Sequence, residues 1–196
     1  MPPEVALDAN VDAYFREIVE SAAEQASVDS TEYGLTYVSA LLASYVRLSR
    51  DDRSLLGEPL TLALHRAASE SGARRVERLR AVGDTVLYAT GFFEEHLTAR
   101  GVSVPYVRGL GARAYNLAAA TFANASELFT DLAERFDDYA RVLRAVSDTV
   151  AATSAANSPA GTLALYERWM KTRSPAAADA LIERGLIPTV KLGNLH

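Results

Sequence analysis

Apolar residues recur every three or four positions along nearly the whole chain, the period of one face of an α-helix. In "VDAYFREIVESAAEQ", Val11, Phe15, Ile18, Val19 and Ala22 fall on one stripe, while Arg16, Glu17, Glu20 and Glu24 lie largely off it. The next stretch, "DSTEYGLTYVSALLASYVRLSR", places Tyr33, Tyr37, Leu41 and Tyr45 on one side, with Asp29 or Ser30 positioned to cap its start. "DDRSLLGEP" reads as a turn. Pro59 suits the first position of a short helix through Leu60, Leu64 and Ala67, because its missing N–H would be unpaired there anyway. Gly72 is the expected stop.

The spacing then predicts the longest helix over Ala73 to Arg100, closed by Gly101. Ser103 and Pro105 open another, Ser126 caps "ELFTDLAERF", and Asp137 restarts the chain in "DDYARVLRAVSDTVAAT". Ser158-Pro159 and Ser174-Pro175 lead the last two segments. No strand alternation with turn chemistry occurs, nor any repeat of fixed length. The expectation is an all-α multi-helix bundle of about seven to nine helices. Residues 1–185 would form one helical domain, and 186–196 a short extended C-terminal tail.

Composition narrows the chemistry. A chain of 196 residues with 49% hydrophobic content can bury a core without covalent staples. The absence of cysteine excludes disulfides, thiolate metal sites and cysteine nucleophiles. "MPPEVALDAN" lacks the basic and apolar regions of a signal peptide. Residues 149–166 carry no formal charge, but Ser, Asn, Gly and Pro interrupt them, so they read as a loop between helix ends rather than a membrane span. A net charge of −5 argues against phosphate-backbone binding. A cytoplasmic location, with no membrane and no nucleic-acid partner, is therefore expected.

The chemically richest stretch is "VGDTVLYATGFFEEHL", residues 82–97. As a helix it aligns Leu79, Val82, Val86, Ala89, Phe93 and Leu97 in one seam, with Tyr88, Phe92 and His96 on an adjacent ridge. Gly83 and Gly91 each cost about 1 kcal/mol relative to Ala in a helix interior. Close approach of another helix explains them best, with Gly109 and Gly111 as the matching surface. A ligand against the bare backbone is the alternative. Glu94 and Glu95 read as a solvated face.

Metal binding fails on spacing, since Phe93 and Leu62 stand where a Glu-x-x-His pair would need its carboxylate. His65 reads as a buried, hydrogen-bonded histidine. Ser69 lies one turn on, but no oxyanion hole or nucleophile elbow accompanies it. No catalytic residue, metal ligand or cofactor is assigned. Arg74, Arg75, Arg78 and Arg80 crowd the start of the central helix, where cations oppose the helix dipole. Surface pairing with Glu70 and Glu77 would offset this, and so would an acidic protein partner bound at Arg74, Arg75 and Arg78. Many of the nine tyrosines fall on faces expected to pack, among them Tyr33, Tyr37, Tyr45, Tyr88, Tyr106, Tyr115 and Tyr166. Buried hydroxyls need partners, and Asp84, Thr90 and Asn116 are the evident supply.

Gly83-Asp84 before an apolar run ending in Gly91-Phe92-Phe93, then Gly111-x-x-Ala114-Tyr115, then Leu165-Tyr166-x-x-Trp169, resembles an uncharacterised family of bacterial all-helical proteins of about this length. The resemblance spans residues 30–185 and implies a helical, soluble bacterial protein. It carries no activity and no residue role. Three functions are weighed. The first is a non-enzymatic interaction or regulatory protein, self-associating or binding a protein partner. The second is a small-molecule binder with Asp84, Tyr88, Phe92 and Tyr115 lining a pocket between central helices. The third is an enzyme using Asp84, His65 or His96 as acid or base.

Overall fold

Some helix signals that depend only on neighbouring residues are realised where they were expected, and others shift by a few residues. A computed structural model describes residues 3–47, 59–121, 126–154, 159–184, Leu186 and Pro188. Ten helices and no strand occur among them: α1 (Pro3–Gln25), α2 (Glu32–Arg47), α3 (Leu60–Ser69), α4 (Gly72–Phe92), α5 (Glu94–Ala99), α6 (Val104–Ala119), α7 (Ser126–Glu134), α8 (Phe136–Ser154), α9 (Pro159–Thr172) and α10 (Pro175–Ile182). The fold is all-α, with more helices than the seven to nine expected. Apart from Leu186 and Pro188, the expected extended tail lies outside the described residues.

Local caps follow their chemistry. Ser174 precedes α10, where its hydroxyl accepts the Ala177 N–H at 3.4 Å, while Ser103 precedes α6 without a side-chain cap bond, Pro105 standing in the first turn. Gly101 takes φ +73°, and the N–H groups of Gly101 and Val102 donate to the carbonyls of Thr98 and Leu97, closing α5 by the Schellman pattern. The α2 cap differs from expectation. Thr31, rather than Asp29 or Ser30, accepts the Gly34 N–H at 3.1 Å. Gly72 does take a left-handed φ of +59°, but it opens α4 and does not end α3, which stops at Ser69.

The helix expected over Ala73–Arg100 breaks at Phe93, whose φ of −125° and ψ of 24° leave helical space. The break has a tertiary cause that periodicity cannot show. Gly91 lies against Leu143 of α8, and two residues later the turn carries Glu94 to Arg108 and Arg144. The seam therefore stops short. Leu79, Val82, Val86 and Ala89 are buried, Phe93 is 47% exposed, and Leu97 is only half-buried. Glu94 is thus an ion-pair centre in the first turn of α5, not a solvated residue near a helix end, and it also sits where the dipole favours an acid.

The chain divides into two compact units, Met1–Arg144 and Ala145–His196, with the division inside α8. In the first, α4 is the central helix and packs on α3 and α6, α6 packs on α7, and α1 packs on α2. Val38, Leu79, Val86, Leu87, Tyr115, Leu132, Tyr139 and Leu143 are wholly buried there. In the second, Ala152, Leu165, Trp169, Ala177 and Leu181 form the core. Arg168 donates from Nε to Asp148 at 2.7 Å and from Nη2 to Ser147 at 3.2 Å. Arg173, at a left-handed φ of 54°, places its guanidinium 4.7 Å from the Trp169 ring centroid.

Candidate functional site

Asp84 is the one acid in the buried stretch of α4, and its position follows from the seam: it neighbours Gly83 and lies one turn before Tyr88. Its carboxylate is shared by three helices. Tyr37 of α2 donates to Oδ1 at 2.6 Å, and Tyr115 of α6 donates to the same oxygen at 2.7 Å. Arg80 donates to Oδ2 at 3.3 Å from a side chain 57% exposed, so that pair is screened by solvent and contributes little. Burial pushes the Asp84 carboxyl above the usual carboxylate range, against the opposing pull of both tyrosines and Arg80. Burial likewise raises Tyr37 and Tyr115, and the nearby Asp84 charge adds to it.

The ring of Tyr115 explains Gly83, because a Cβ there would fall 2.5 Å from it. The two glycines of α4 are therefore points of close approach, Gly83 to α6 and Gly91 to α8. The expected match on α6 holds for Gly111, which lies against Phe136 and Val86. It fails for Gly109, whose missing Cβ faces open space. Thr90 and Asn116 do not serve the tyrosines. Thr90 returns its hydroxyl to the Val86 carbonyl at 2.8 Å, and Asn116 is exposed. Tyr33 and Tyr106 are 50% and 59% exposed, so they pack on no core face.

A second acid–tyrosine knot was missed. Tyr139 of α8 donates to Asp131 of α7 at 2.5 Å, and Thr31 donates to the same Oδ2 at 2.9 Å. Arg135 stands 3.5 Å from the other oxygen. A Cβ on Gly34 would fall on the Tyr139 hydroxyl, so that glycine makes room for the knot. Burial and Asp131 push Tyr139 up to about 12. The only hint in the sequence was an Asp and a Tyr eight apart on otherwise apolar faces.

Of the four residues expected to line a pocket, Asp84 and Tyr115 meet in the first knot, while Tyr88 and Phe92 belong to an aromatic stack. Tyr88 lies flat on Tyr45, with centroids 3.9 Å apart and planes at 6°, and on Phe92 at 4.9 Å. None of the four lines the three clefts described in this chain. The largest of these, about 740 Å³, opens between α3 and α4 and is lined by residues that include Ala63, His65, Arg66, Ala67, Arg78, Val82 and Thr85.

His65 is exposed on that cleft, not buried as expected. A ten-residue helix offers one face to the core, and Leu64 and Ala67 take it. His96 is exposed as well. Ser69 donates to the His65 carbonyl at 2.9 Å, so its hydroxyl serves its own helix. The three arginines singled out divide by role. Arg75 reaches from α4 to the Ala68 carbonyl at 2.8 Å and ties α3 to α4. Arg74 and Arg78 are exposed, one helical turn apart, and form no ion pair among the described residues.

No group of three or more His, Cys, Asp or Glu able to hold a metal occurs among the described residues. None of their helices is long and apolar enough to cross a membrane. Comparisons with known protein families, with curated proteins and with solved structures returned no match.

Proposed function

We propose that this chain is a cytoplasmic, non-enzymatic interaction module that binds an acidic segment of a partner protein along the outer face of α3 and α4. The observation that carries this reading is the ridge of Arg74 and Arg78, exposed and without ion-pair partners among the described residues, beside a cleft also lined by Arg66. Arg74, in the first turn of α4, opposes the helix dipole, and an anionic partner relieves that penalty. The buried acids support the same reading, because Asp84 and Asp131 are already engaged in joining helices.

Isothermal titration calorimetry with a synthetic Glu-Gly peptide tests the proposal. Binding is expected, weakening as salt rises above about 0.1 M, where screening sets in at about 10 Å. Arg74→Glu with Arg78→Glu is expected to abolish it, while Arg113→Glu on α6 leaves it intact. Binding that is indifferent to the double substitution overturns the reading.

A further inference from the structure

We infer that the cleft between α3 and α4 binds a short apolar peptide with both termini free, its ammonium group held by Glu70 and its carboxylate by Arg78. The floor of the cleft consists of small apolar side chains: Ala67 and Val82 are buried, and Ala63 and Ala81 are half-buried beside them. Both hydroxyls of the lining serve their own helices, Ser69 the His65 carbonyl at 2.9 Å and Thr85 the Ala81 carbonyl at 2.8 Å. Arg66 is already engaged within the chain. The charges left to a ligand are one acid and one base, half-buried Glu70 and exposed Arg78, which form no ion pair among the described residues. They cancel in sum, so the cleft favours neither an anion nor a cation. It favours a neutral molecule that carries both charges on an apolar body.

The spacing of the two charges sets the length of that molecule. Glu70 directly follows α3, whereas Arg78 stands six residues on from Gly72, the first residue of α4. At about 1.5 Å per residue that interval is ~9 Å along the helix axis. A free amino acid carries its ammonium and carboxylate on one carbon and reaches only one of the two side chains. A peptide of two or three residues spans the interval, since an extended chain covers about 3.3–3.6 Å per residue. The volume of about 740 Å³ lies within the ~300–1,000 Å³ typical of ligand sites and admits such a peptide with a side chain resting on Ala67 and Val82. Arg75 donates from α4 to the Ala68 carbonyl of α3 at 2.8 Å and holds the two walls together. This site goes beyond the acidic-segment reading and shares only Arg78 with it.

Calorimetry on the full chain with Ala-Phe-Ala, its N-acetylated form, its C-amidated form and free Phe tests the assignment. The titrations are run at about pH 7, below the α-amino pKa of about 7.7–8.0. The unblocked tripeptide is expected to bind, and each blocked form and free Phe to bind at least about tenfold more weakly. Glu70→Gln is expected to erase the discrimination against acetylation and to leave the penalty for amidation in place. Arg78→Gln is expected to do the reverse. A general loss of structure would not exchange the two penalties in this way, and circular dichroism checks that helix content is kept. Free Phe or a blocked form binding as tightly as the tripeptide overturns the inference, as does a Glu70→Gln chain that still rejects the acetylated form. Absence of tripeptide binding overturns it too. The Glu-Gly peptide judges the acidic-partner reading separately: Glu-Gly binding without Ala-Phe-Ala binding sinks this site and leaves that reading standing, and the converse sinks that reading and supports this site.

Discussion

Asp84 shows how a single buried acid sets a pH dependence opposite to the common one. An Asp paired at the surface has a lowered pKa and loses its contribution in acid. Here burial raises the folded value above the unfolded value of about 3.9. Between those two values the folded state holds more protons than the unfolded state, so stability falls as pH rises through the window and then levels off. Urea unfolding followed by circular dichroism is expected to show this slope, and Asp84→Asn to flatten it. Tyr139, raised to about 12, gives a second decline above about pH 10. Tyr115→Phe removes one of two hydroxyls donated to a buried carboxylate and is expected to cost about 1.5–3 kcal/mol.

At the scale of helices, the glycines provide a test in which one substitution takes both signs. Gly→Ala in a helix interior normally gains about 1 kcal/mol. Gly109→Ala, into open space, is expected to follow that rule. Gly83→Ala and Gly91→Ala would drive a methyl into Tyr115 and Leu143 and are expected to cost about 1–3 kcal/mol. Shifts of the urea midpoint in one direction for all three would refute helix close approach as the reason for Gly83 and Gly91.

The same residues show what was legible in sequence. The cap at Ser174 and the stop at Gly101 were readable, since their hydrogen bonds close within five residues. Asp84 was noticeable as an acid inside an apolar seam. The break at Phe93 was not readable, because its reasons lie on α6 and α8. Nor was the knot of Thr31, Asp131 and Tyr139, whose members are separated by 100 and 108 residues of chain. The exposure of His65 was missed because apolar composition alone does not say which face of a short helix is buried.

Over the whole molecule, net charge and local charge diverge. The chain carries −5, yet Arg74 and Arg78 sit together on α4 with Arg66 and Glu70 in the neighbouring cleft. A partner that reads only the overall charge would be repelled, and one that reads the ridge would be attracted, so salt is expected to affect the docking rate more than the stability of the fold. In the Ala145–His196 unit, Leu181→Ala deletes a wholly buried side chain from a core of few large members and is expected to cost about 2–5 kcal/mol, measured as a lower urea midpoint.

Trp169 is the only tryptophan in the chain, and it belongs to that smaller unit beneath the guanidinium of Arg173. Indole emission is therefore a built-in reporter of one unit alone. Excited selectively, it follows loosening around α9 and α10, while eight of the nine tyrosines lie in the Met1–Arg144 unit and dominate its signal. Arg173→Ala should change its brightness without a new fluorophore being introduced.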